Sequence, residues 1–147
     1  MKRVKLLCFL LLLPVFLQAQ TAERVEALLN TDAVSYEQAA QLVLEAADVR
    51  VSTGPADAFR YAAEQRWVPG KAEGGDIARL DGISLLIMRA FDLKGGMFYS
   101  LFKNPHYAYR ELEYQNIIQG RSDPAMDVSG DFLLFMTGRA LSVVEGE

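Results

Sequence analysis

Residues 79–91, RLDGISLLIMRAF, decide the fold, because their pattern returns fifty residues later as residues 129–141, SGDFLLFMTGRAL. Extended upstream without gaps, the same shift places Ala58, Arg60, Gln65, Gly70, Asp81, Arg89 and Ala90 on Ala108, Arg110, Gln115, Gly120, Asp131, Arg139 and Ala140. Apolar class is kept where identity is not: Phe59 with Tyr109, Val68 with Ile118, Leu85 with Phe135, Phe91 with Leu141. A self-match at one fixed shift is the mark of a repeat architecture. A third, shortened copy lies upstream. Residues 34–44 match the second half of the later copies at a shift of 44, and Val25, Leu28, Leu29, Ala33 and Val34 match Phe59, Ala62, Ala63, Trp67 and Val68 at a shift of 34. The difference of ten is a loop that copy one lacks.

Each copy reads as helix, loop, helix. Pro55 and Pro105 suit the first helical position, with Gly54 or Asn104 at the cap. Glycine-containing loops, residues 69–78 and 119–128, separate the helices of copies two and three. The second helices open at Ser35, at Arg79 to Asp81 and at Ser129; Ser35 with Gln38 three residues on forms a capping box. Leu85 to Met88 and Leu133 to Met136 are apolar nearly all round, which implies deep burial. No sustained alternation of period two suggests a strand. The expected fold is all-α, with repeats at about 22–49, 55–93 and 104–142. One unit cannot bury two apolar helices alone, so the three must share a core, most economically as a pseudo-three-fold bundle with the second helices central.

The N-terminus has a basic patch, Lys2, Arg3 and Lys5, an apolar run from Leu6 to Leu17, and Ala19 at its exit. These are the three parts of a secretory signal; the run is well short of the roughly 20 residues needed to span a bilayer. Residues 1–19 are therefore expected to be removed, leaving one domain, 20–147, exported to the periplasm or the cell envelope or surface. Cys8, the only cysteine, goes with the signal, so the mature chain makes no disulfide and relies on its core. Loss of the three cations takes the net charge from −4 to −7. An acidic surface argues against nucleic acid and against binding anionic lipid headgroups. No later segment is long and apolar enough to cross a membrane.

These residues carry a family resemblance. His106 to Tyr114 with Ile117-Ile118-Gln119-Gly120 resembles the opening of an S-layer homology repeat; residues 122–129 stand where that family has an acidic, proline-containing loop, and Arg139-Ala140-Leu141 matches its closing motif. Copy two repeats this with Ala58 to Ala63, Trp67 to Gly70 and Arg89-Ala90-Phe91. The resemblance implies a pseudo-three-fold helical prism that attaches exported proteins to cell-wall polysaccharide. It also implies an acidic-glycan groove containing loop glycines, an aromatic residue and the arginine of a Thr-Arg-Ala-Glu motif at each second-helix start. Here the arginine slot holds Tyr36, Leu80 and Gly130. The scaffold is kept in this reading and the usual glycan chemistry is lost.

No catalytic, cofactor or metal set stands out. His106 is the only histidine, beside a helix start, and a general base or metal ligand needs a partner. Asp76, Asp81, Asp123 and Asp127 lack the spacing of a calcium loop and read as turn or cap residues; Glu111 and Glu113 read as solvated. The chain is expected to be a non-enzymatic envelope interaction or anchoring module whose partner is a cell-wall or envelope glycan, or an envelope protein. Ligand-binding candidates are Trp67, Gly70, Arg79, Asp81, Gly120, Arg121 and Asp123, with Arg79 and Arg121 suited to an anionic group. The alternative is a structural or assembly protein that binds a protein partner through the connector 95–102, using Phe98, Tyr99 and Phe102. That connector is too apolar for a free linker, and folds onto the core or presents an aromatic patch.

Overall fold

The computed structural model describes residues 21–50 and 52–146. The secretory signal, its cleavage bond and Cys8 lie outside the described residues. Among those described the protein is all-α: α1 (residues 21–29), α2 (Tyr36–Ala46), α3 (Pro55–Glu64), α4 (Leu80–Ala90), α5 (Met97–Phe102), α6 (Pro105–Tyr114) and α7 (Gly130–Glu145). Helices α1 and α2, α3 and α4, and α6 and α7 fall in the three copies, while α5 occupies the connector.

Local chemistry sets the helix ends. Ser35 caps α2 in a complete capping box with Gln38. Pro55 and Pro105 open α3 and α6, and Asn104 Oδ1 accepts from the Tyr107 amide at 3.0 Å. Asp48, Arg66, Asp92 and Asn116 follow the ends of α2, α3, α4 and α6 with φ of 53, 59, 49 and 57°. Each left-handed residue is followed by an amide that bonds back to the last turn: Val49 to Leu44, Trp67 to Ala62, Leu93 to Met88, Ile117 to Leu112. The same stop thus recurs at positions related by shifts of 44 and 50.

Second helices pack on the first helix of the following copy: α2 lies on α3, and α4 on α6. The core contains Ala39, Val43 and Leu44 of α2, Ile83, Leu86 and Ile87 of α4, and Leu133, Met136 and Ala140 of α7. Helix α4 is buried on every side except at Asp81 and Arg89. Helix α7 departs from the all-round burial expected of it: Phe135 is 45% exposed and Leu134 only partly buried. Its described helix packing is against α2, whereas α4 lies between α2 and α6.

The copies meet in a closed ring of backbone hydrogen bonds. The Val34 amide donates to Val128 O at 2.8 Å, the Val128 amide to Ala78 O at 3.1 Å, and the Ala78 amide to Val34 O at 2.8 Å. All three residues are completely buried. Just above the ring, loop carbonyls take the free amides of the second helices. Asp76 O and Gly74 O receive Tyr36 and Glu37 of α2; Met126 O and Pro124 O receive Leu80 and Asp81 of α4; Thr31 O receives Gly130 of α7. These helix starts would otherwise leave buried donors unpaired. Gly130 is required here, because a Cβ would collide with the Leu28 carbonyl.

Candidate functional site

The seven ligand-binding candidates divide between two seams. Trp67 and Gly70 precede the loop that caps α2, whereas Arg79 and Asp81 start α4 and meet the loop that carries Gly120, Arg121 and Asp123. Trp67 is half-buried, edge-on to Tyr61 with centroids 5.8 Å apart, and packed on the core. It supports the loop and presents little free ring. Gly70 is exposed with open space around it, while Gly120 has φ +83° and needs glycine's conformational freedom.

In the second seam Arg79 is half-exposed, its Nε 3.8 Å from Asp81 Oδ1, and its backbone bridges to Asp127. Asp81 Oδ1 also accepts from the Gly82 amide at 2.8 Å, and Asp123 Oδ1 from the Ala125 amide at 2.7 Å. Asp76 Oδ2 does the same for Glu73 at 2.8 Å. The aspartates therefore act on turns and caps, as their spacing suggests. Arg121 is exposed and makes no ion pair with another described residue. Asp81 already stands beside the Arg79 guanidinium and Asp127 bridges its backbone, so Arg79 is poorly disposed to an anion. The positions that the resemblance assigns to arginine are structural here: Tyr36, Leu80 and Gly130 are buried at the helix starts, and Tyr36 Oη accepts from the Arg79 amide at 3.4 Å. Burial raises the Tyr36 phenol above its ordinary pKa.

The connector separates its two expected fates residue by residue. Tyr99 is buried against Gly95 and belongs to the core, which corrects its place among exposed partner-binding residues. Burial pushes its phenol pKa up to about 12. Phe98 and Phe102 remain 56% and 54% exposed, as do Met97 and Leu101 at 75% and 72%. Both phenyl rings stack on Tyr107, with centroids 5.7 and 5.5 Å away, and His106 meets Tyr107 edge-on at 5.2 Å.

Of the two glutamates expected to be solvated, Glu113 is exposed and Glu111 is partly buried, and both also hold structure. Glu111 Oε1 accepts from the Gly96 amide at 2.8 Å, and Gln115 Nε2 donates to Lys94 O at 2.8 Å, which fastens the connector to α6. Glu113 Oε1 accepts from Tyr109 Oη at 2.6 Å; burial first, then this bond, raises the Tyr109 pKa. The Tyr109–Glu113 bond follows helical spacing, whereas nothing local announces the partner of Glu111 fifteen residues away.

Sequence reasoning also missed a cleft of about 330 Å³ between α1 and α2, where Val25, Leu28 and Leu42 face the Arg24–Glu45 pair (3.4 Å) and Gln41. The signal was the shortened copy: Leu42 is partly exposed where the corresponding Leu86 is fully buried. Among the described residues no cluster of three or more His, Cys, Asp or Glu is placed to hold a metal. No family model, curated protein or solved structure matches the chain.

Proposed function

We propose that the chain is an exported, non-enzymatic interaction module of the cell envelope, built as a pseudo-three-fold bundle resembling S-layer homology domains. The closed ring through Val34, Ala78 and Val128 supports the three-fold scaffold, since each copy donates to and accepts from another at equivalent positions. The observation that carries the functional reading is the apolar face of α5. Four large apolar side chains stand more than half exposed on one short helix that the core holds by Tyr99. Contiguous exposed apolar surface of this kind marks a contact site. His106 meets the Tyr107 ring edge-on and so belongs to the same aromatic surface.

A glycan-binding reading through the seams keeps one favourable observation, the exposed and unpaired Arg121. Retention of residues 20–147 on isolated cell envelopes separates the two. The α5 reading predicts that Phe98→Ser/Phe102→Ser abolishes retention and Arg79→Ala/Arg121→Ala leaves it intact. The reverse pattern, with retention on purified wall polysaccharide alone, would establish the glycan reading in its place.

A further inference from the structure

The exposed residues of α5 follow one geometry. Met97, Phe98, Leu101 and Phe102 recur at spacings that share one side of a helix. The other side sends Tyr99 into the core and ties the Ser100 hydroxyl to Gly95 O at 3.2 Å. Stacking of Phe98 and Phe102 on Tyr107 holds the two rings in place. Cations frame this face: exposed Lys94 and Lys103 lie before and after α5, and exposed Arg110 is one turn beyond Tyr107 on α6. Of the nearby acids, Glu111 is bonded to the Gly96 amide, and Asp92 precedes Lys94 at the α4 stop.

We propose that this face docks on an anionic lipid bilayer, with Met97, Phe98, Leu101 and Phe102 entering the headgroup–acyl boundary and Lys94, Lys103 and Arg110 meeting lipid phosphates. The inference rests on the reading of α5 as the contact surface and names what it contacts. Charge complementarity is the first argument. Residues 20–147 carry a net −7, which weighs against anionic lipid over the chain as a whole, yet exposed Lys94, Lys103 and Arg110 outnumber Asp92 and Glu111 around the apolar face, which makes this face locally cationic. Form is the second: the patch is a single row of aromatic and flexible aliphatic side chains on a six-residue helix. A bilayer needs no complementary shape, accepts Phe, Leu and Met at the acyl boundary, and lets lysine stems reach outward to phosphate.

The experiment is flotation of residues 20–147, which contain all the described helices, with vesicles of phosphatidylcholine alone or mixed with phosphatidylglycerol. Circular dichroism verifies that each variant keeps its fold. The wild type is expected to float with phosphatidylglycerol-containing vesicles and to be released by high salt. Phe98→Ser/Phe102→Ser is expected to weaken binding at least about tenfold, and Lys94→Glu/Lys103→Glu by roughly fivefold per lysine. Arg79→Ala/Arg121→Ala is expected to bind as wild type. Absence of wild-type flotation, or flotation unchanged by Phe98→Ser/Phe102→Ser in a folded protein, overturns the proposal. If the wild type fails to float with either vesicle while isolated envelopes still retain it through Phe98 and Phe102, the lipid proposal falls, the face belongs to a protein partner and the interaction-module reading stands.

Discussion

Helix α4 and helix α5 lie six residues apart and are built from the same kinds of side chain, yet they have opposite fates. Leu85-Leu86-Ile87-Met88 is buried to 3% exposure or less, whereas Met97, Phe98, Leu101 and Phe102 stand 54 to 75% exposed. Hydrophobicity does not separate them. What separates them is coverage: α4 has α6 on one flank and α2 on another, while α5 packs chiefly on α6 and has one turn and a half of helix to do it with. A six-residue helix cannot turn four large side chains and Tyr99 inward together, so the one that enters the core anchors the rest outside.

That difference is best broken from the buried side. Leu86→Ala is expected to cost about 2–5 kcal/mol in chemical denaturation, because the cavity lies at the centre of the bundle. Tyr99→Ala is expected to fall in the upper part of the same range although it lies within the exposed connector, since it alone of α5 is core. Equal tolerance at Tyr99 and Leu101 would remove the anchor from the account. Gly95→Ala places a Cβ against the Tyr99 ring and is expected to cost about 1–3 kcal/mol, less if the ring can shift.

A titration sharpens the same point. Tyr99 holds its proton in the fold up to about pH 12, while an unfolded tyrosine releases it near 10. The unfolded chain thus binds fewer protons between these values, and stability falls as pH rises from 10 to 12. Tyr99→Phe is expected to flatten that part of the alkaline unfolding curve and to leave the neutral range unchanged. The smallest effect belongs to the exposed face: Leu101→Ser should change the unfolding free energy by less than about 0.5 kcal/mol.

The repeat, helix order and helix ends were legible because they rest on local chemistry. Ser35 with Gln38, Pro55 and Pro105 announce their roles within four residues. What long-range pairing decides was not legible. Val34, Ala78 and Val128 look like ordinary apolar residues before a helix, and nothing local shows that their amides close a ring. Glu111 gave no sign that it would cap Gly96, and α7 gave none that Phe135 would stand exposed. Of the candidate site, Phe98 and Phe102 kept the exposure expected of a contact surface. Tyr99 did not, since the short helix needs an anchor, and Arg79 lies beside carboxylates that capping geometry places there.

Amide hydrogen exchange of residues 20–147, with and without phosphatidylglycerol-containing vesicles, tests most directly that α5 is the docking face. The account predicts added protection confined to residues 94–107, with the loops 69–78 and 119–128 unchanged. Protection of those loops with α5 unaffected would contradict it and place the contact in the seams between the repeats.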